Sequence, residues 1–229
     1  MTTQTDTPHD PESRGLRLTS ALLSLTVVSG LIDAVSYLGL GHVFTANMTG
    51  NVVVLGFAAA GAPGFSVPHT LTSLCCFLAG AVTGGRIAAR FGNGSRRTWA
   101  RGTFAAEAVL TAACAAVAFA APDATATAYT VIAVTAFAMG LRNATVRKLG
   151  VADLTTTVLT MTLTGLAADS RLGSGAGHHN TPRRIASVAA MLAGALLGAW
   201  LVLNHGLGLP LLIAALVPAA LAVTASGRE

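Results

Sequence analysis

Six stretches of this chain stay apolar over roughly the 20 residues that a helix needs to cross a bilayer, and that decides most of what it can fold into. They cover about 18–40, 69–90, 99–121, 124–141, 185–203 and 209–224, the last one short and interrupted by Pro210 and Pro218. With 53% hydrophobic and only 10% charged residues, the composition lies far from soluble domains, where roughly 25% are charged. The expected fold is all-α, a polytopic helical bundle whose first partner is the lipid bilayer. In a soluble protein the formal charge of +5 would point to nucleic acid. Here the basic residues sit in short loops between apolar runs, where they set orientation, and no nucleic-acid partner is expected.

Residues 1–17 are polar and rich in Thr, Asp and Pro, and are expected to form a disordered tail ahead of a membrane domain spanning 18–229. The run that follows is too long for a signal-peptide core and is read as a retained first helix. Arginine far outnumbers lysine and alanine is abundant, which points to a bacterial chain and hence to the plasma membrane. Cys75, Cys76 and Cys114 all fall inside apolar runs without C-x-x-C spacing, so they are read as small core residues.

Two further segments, 44–61 and 154–169, are apolar but short, and Thr, Asn and Gly crowd their first halves. Either they span or they dip in and return. If both return to the side they left, all 14 basic residues fall on the side of the N-terminal tail. If both span, Arg86 to Arg101 and Arg142 to Lys148 move across and the split becomes six to eight. The positive-inside rule favours the re-entrant arrangement, with both termini cytoplasmic.

The chain also repeats itself. GLIDA at 30–34 recurs as GLRNA at 140–144, the Thr-rich element around Thr49 recurs around Thr160, and LAGAVTG at 78–84 recurs as LAGALLG at 192–198. The offsets of 110, 111 and 114 keep the order, giving copies at about 18–121 and 124–225. Each copy holds three spans and one short segment, so the second must enter from the opposite face. That is the inverted-topology plan of many transporters. The paired glycines Gly80/Gly84 and Gly194/Gly198 are assigned to close helix packing.

The polar residues that interrupt this scheme are the functional candidates, because ionisable and amide groups at membrane depth are costly. Asp33 lies late in the first apolar run, and Asn47, Thr49, Gly50 and Asn51 follow it. In the re-entrant arrangement 42–47 descends, Gly50 lets the backbone turn in a crowded place, and a half-helix climbs back with its N-terminus aimed inward. Thr156, Thr160 and Thr162 are the second copy's counterpart. Such N-termini favour an anion or a neutral hydrogen-bonding solute, while Asp33 attracts a proton or cation. Glu107 is expected to reach the cytoplasmic interface or pair with an arginine, and Asn143, beside Arg142 at a helix end, to cap or pack.

The segments DAVSYLGLGHVFTANMTGN, GLRNATVRKLG and TTTVLTMTLTG together resemble the YoaK-like family of bacterial multi-spanning membrane proteins of unknown function. The resemblance covers nearly the whole chain beyond the tail; it implies the membrane fold and supplies no reaction. Where T-G would be expected in the second copy, this chain has Thr160 and Met161, so the halves need not be equal. No G-x-S-x-G, P-loop or Cys/His cluster is present, so no enzyme, cofactor or metal is expected. The functional expectation is a transporter or channel for a small solute or ion, with Asp33 coupling or gating. The alternative is a non-transporting scaffold or sensor, and a homo-oligomer stays open in either case.

Overall fold

The computed structural model describes residues 11–91, 96–149, 159–170, 173 and 181–224, and among these it is helical apart from turns. The order is α1 (Pro11–Gly39), α2 (Met48–Ala59), α3 (Val67–Phe91), α4 (Arg96–Ala120), α5 (Thr125–Leu149), α6 (Leu159–Ala168), α7 (Thr181–His205) and α8 (Gly208–Thr224). Helix thus begins at Pro11, inside the stretch expected to be a disordered tail, and residues 1–10 lie outside the description. Thr19–Gly39 of α1, all of α3, Thr98–Ala120 of α4 and all of α7 are long and apolar enough to cross a membrane. The other two expected spans are α5, of 25 residues, and α8, of 17.

Hydroxyl side chains do not disturb these helices because they bond back one turn. Thr26 donates to the Leu22 carbonyl at 2.9 Å, Ser29 to Leu25 at 3.1 Å and Thr145 to Leu141 at 3.0 Å. That satisfies a polar atom without water, as an apolar surrounding requires.

Glycine determines which helices touch. A Cβ on Gly80 would overlap the Phe137 carbonyl and one on Gly140 the Phe77 carbonyl, so α3 and α5 meet backbone to backbone. In the same way Gly194 faces the Val27 carbonyl and Gly30 the Met191 carbonyl, joining α1 to α7. Gly84 lies on Leu141 and Ala144, as Gly198 lies on Leu31 and Ala34. The two crossings use equivalent residues, displaced by 110 in α1/α5 and 114 in α3/α7. Close approach of this kind is what small residues permit between membrane helices.

These contacts also give directions. Gly80 on Phe137 and Gly84 on Leu141 make α3 and α5 parallel; Gly194 on Val27 and Gly198 on Leu31 make α1 and α7 parallel. Arg101 Nε donates to the Ala222 carbonyl at 3.0 Å, while Gly208 sits on Phe119, so α4 and α8 are antiparallel. Leu22 and Leu25 share one cluster with Phe104, Val146 and Leu221, so the start of α1 lies level with the end of α5. The larger core, from Leu31, Ile32 and Val35 to Ile132, Met139 and Leu211, fills the rest of the interior.

The ends of the bundle differ in charge. Arg86 and Arg90 close α3, Arg147 and Lys148 close α5, and Arg101, Arg183 and Arg184 fall in the opening turns of α4 and α7, all at one end. His42, His69, Asp123 and His205 lie at the other. Of the cysteines only Cys114 is in the core; Cys75 is exposed, because α3 turns that side away from α5.

Candidate functional site

α1 ends at Gly39, and the chain reverses through Gly41 (φ 84°) and His42 (φ 59°), two successive left-handed residues. His42 is the costly one, since a side chain rarely adopts that conformation. Its ring is held edge-on to Tyr37 at 5.1 Å, and its Nδ1 lies 2.9 Å from the Gly64 carbonyl, just before α3. Phe57, near the end of α2, packs on Phe65 at 5.5 Å. The segment between His42 and Gly64 therefore starts and finishes at one place: α2 enters the bundle and comes back. At 12 residues it is about 18 Å long, short of the roughly 30 Å needed to span.

Asp33 sets the depth of that entry, six residues inside the end of α1. Its Oδ1 accepts three successive backbone N–H groups, from Thr45 at 3.2 Å, Ala46 at 2.8 Å and Asn47 at 3.3 Å. Asn51 completes the lock: its Oδ1 accepts the Phe44 N–H at 2.8 Å, and its Nδ2 donates to the Phe44 carbonyl at 2.6 Å and to Ser73 Oγ of α3 at 3.1 Å. Asn47 caps α2 by accepting the Gly50 N–H at 3.3 Å. Asp33 and Asn51 are buried, whereas Asn47 and Thr49 are exposed on the outer side of α2.

Gly50 is not the turn residue expected. It is helical, and the positive-φ glycines described are Gly41, Gly61, Gly64 and Gly206. It is small for a different reason: a Cβ there would meet the Phe44 ring, itself stacked on Tyr37 at 4.8 Å.

The second copy's element is α6, at the opposite end of the bundle. Asp169 pairs with Arg184 of α7 at 2.7 Å, bringing the end of α6 back to the start of α7. Thr162 is buried and Thr160 exposed, and Thr156 lies outside the described residues. Asp33, Asn47, Gly50 and Asn51 thus come together at one end, apart from Thr160 and Thr162, so the expected residues that are described do not line one continuous surface.

The core holds a charged group that the loop reading missed. Arg142 was expected at a cytoplasmic boundary, but α5 continues to Leu149 and the Arg142 side chain is 1% exposed. Its Nη1 donates to Glu107 Oε1 of α4 at 2.9 Å, and its Nη2 to Ser29 Oγ of α1 at 2.5 Å. Glu107 is 0% exposed, so it reaches no interface; its partner is Arg142, while Arg101 bonds backbone on α8. Ser29 is one helical turn from Asp33 along the same face of α1. Asn143, next to Arg142, is half-buried and is the positional equivalent of Asp33. That equivalence was the available signal, because it puts Arg142 at the depth of a core residue. Asp33 Oδ2 and Glu107 Oε2, and the hydroxyls of Thr45 and Thr111, are buried without a hydrogen-bond partner.

A cavity of about 530 Å³ opens between α3, α4 and α5 near the basic end, lined by Ile87, Phe91, Trp99 and Leu141 among others. It is apolar and lies away from Asp33.

Fold and interior together define a helical integral membrane protein with a buried ionic cluster. Residues 21–224 match the family described as "Protein of unknown function (DUF1275)", and the chain belongs to that family. It is also similar to the UPF0700 transmembrane protein YoaK of Bacillus subtilis (strain 168), with 34% identity over 151 residues, 66% of this chain and 66% of that protein. No solved structure matches it.

Proposed function

We propose that this protein is a transporter or channel for a small solute in the bacterial plasma membrane, not an enzyme, built as an inverted-topology repeat with both termini cytoplasmic. The observation that carries this reading is the set of three buried ionisable side chains, Asp33, Glu107 and Arg142, drawn from α1, α4 and α5 and therefore from both halves. Charges inside a membrane bundle are expensive and characteristically mark ion or solute pathways. The α1/α7 and α3/α5 crossings through equivalent glycines, and the opposite directions of α1 and α5, support the inverted repeat. Basic residues gathered at one end support the orientation. Asp33 couples or gates by holding the entry of α2, and Arg142 with Glu107 holds α4 against α5 and α1.

A scaffold or sensor is the second reading, favoured by one observation: the Asp33 and Asn51 hydrogen bonds are local ones that fix the α1–α2 connection. Flux assays in proteoliposomes separate the two. A panel of labelled small anions and neutral polar solutes should yield at least one that the native protein moves and that Glu107→Gln moves at least tenfold more slowly. If no solute crosses faster than through empty liposomes, while both proteins remain folded, transport is wrong.

A further inference from the structure

The interior contains two acids and one base. Among the described residues Asp33, Glu107 and Arg142 are the buried ionisable side chains of the aspartate, glutamate, lysine and arginine types. Fully ionised, they would leave one uncompensated negative charge where solvent cannot screen it, which a low-dielectric interior strongly opposes. Each acid is also half-satisfied in the same manner. Asp33 Oδ1 accepts three N–H groups while Oδ2 has no partner, and Glu107 Oε1 accepts from Arg142 while Oε2 has none. Beside each stands a buried threonine hydroxyl without a partner, Thr45 for Asp33 and Thr111, one turn along α4, for Glu107.

We propose that the bundle interior binds one exchangeable proton shared between the carboxyl groups of Asp33 and Glu107, with the Arg142 guanidinium serving whichever carboxyl is ionised. In the conformation described Arg142 is on Glu107, so the proton is on Asp33 Oδ2, next to Thr45. When the proton passes to Glu107, Arg142 turns through Ser29 toward Asp33. The step moves a proton only: one O–H bond breaks as another forms, and the net charge of the cluster stays zero. A metal cation is a poorer occupant, because hard divalent cations gather about six or more oxygens and each carboxyl here has one unpartnered hydroxyl beside it.

Few other groups compete. α2 and α8 carry no titratable side chain. Among the described side chains α1 itself adds Tyr37, and the loop after it His42, whose Nδ1 lies on the Gly64 carbonyl. The described side chains of α4 add Cys114 and Arg101, the latter bonded to α8. α3, α5 and α7 hold His69, Tyr129, His205 and their remaining arginines and Lys148 toward the bundle ends, and Cys75 and Cys76 lie outside the core.

The test is infrared difference spectroscopy of the full chain in nanodiscs across a pH titration, counting protonated carboxyl groups by the carbonyl stretch that shifts in heavy water. The native chain should show one buried protonated carboxyl per molecule at neutral pH. Charge balance makes an unusual forecast: Glu107→Gln and Asp33→Asn, both shape-conserving, should each abolish that band, and Arg142→Gln should double it. A band that survives Glu107→Gln means that Asp33 is neutral for local reasons, and the shared proton is wrong. Absence of the band from the native chain overturns it as well, as does a band displaced by sodium or magnesium. If Glu107→Gln fails to fold, Glu107→Met, which also removes the second carboxyl, decides in its place. As a coupling ion the proton rests on the transport reading, but the spectroscopic count needs no flux. A bound proton with no solute movement sinks transport only, and flux without the band sinks the proton site only.

Discussion

Replacing Asp33 by alanine tests whether one carboxylate really sets the position of α2. Its Oδ1 serves three N–H groups, and two of the donors, Thr45 and Ala46, are buried residues while Asn47 is exposed and can bond to water or lipid headgroups. Each buried N–H left unpaired costs about 1–3 kcal/mol, so the alanine variant should lose about 4 kcal/mol. For a chain of 229 residues, at about 2–4 °C per kcal/mol, the melting temperature should fall by roughly 8–16 °C. Asp33→Asn keeps an acceptor where Oδ1 stands and should lose only about 1–2 kcal/mol, or roughly 2–8 °C. Thermal unfolding in detergent, followed through Trp99 and Trp200 fluorescence, measures both. An alanine variant melting within about 2 °C of native, less than a single lost hydrogen bond should give, would refute the locking role.

Gly80→Val and Gly194→Val each force a side chain into a facing backbone carbonyl, and both should lose more than the roughly 1–3 kcal/mol typical of overpacking; Gly56→Ala, with open space around it, should raise the melting temperature slightly through helix propensity. In a variant lacking Cys75, Cys76 and Cys114, single cysteines at Ala62 and Asp123 should react with an impermeant maleimide on intact cells, and one at Arg90 only after permeabilisation; labelling at Arg90 from outside would reverse the orientation. Arg142→Met should cost about 3–5 kcal/mol by leaving Glu107 buried and unpaired, while Ile32→Met, at the equivalent position of the first half, should cost less than about 1.5 kcal/mol. Equal losses on denaturation would mean that the ion pair is not what holds this layer together.

The architecture was legible because bilayer physics leaves little freedom: apolar length gives helices long enough to span, and recurring G-x-x-x-G faces give contacts. Gly80 and Gly194 were readable as packing residues without any partner being known. The sequence pattern could not say which oxygen of Asp33 does what, because that depends on residues 12 to 14 positions away arriving at its level. Nor could it place Arg142. An arginine followed closely by Arg147 and Lys148 looks like the start of a loop, and only a carboxylate from another helix, Glu107, makes its burial tolerable. The Gly50 reading failed for a related reason: the crowding was real, but it comes from the Phe44 ring and not from a backbone turn.

The contacts that hold the two halves together and the charges that distinguish them obey different rules. Gly30, Gly80, Gly140 and Gly194 meet their partners through equivalent atoms in both crossings, so exchanging the halves leaves that scaffold nearly unchanged. The chemistry is not exchanged in the same way: Asp33 corresponds to Asn143, and Arg142 to Ile32. If the halves form the inverted repeat proposed above, that scaffold offers two packings of similar energy, and an equilibrium between such packings responds only to groups that interact differently with each. Asp33, Glu107 and Arg142 are the buried groups of that kind among the described residues, and Arg142, from the second half, bonds two helices of the first, α4 through Glu107 and α1 through Ser29. On that proposal a change in the charge of this cluster acts on the balance between packings, whereas the glycine faces act on the stability of both.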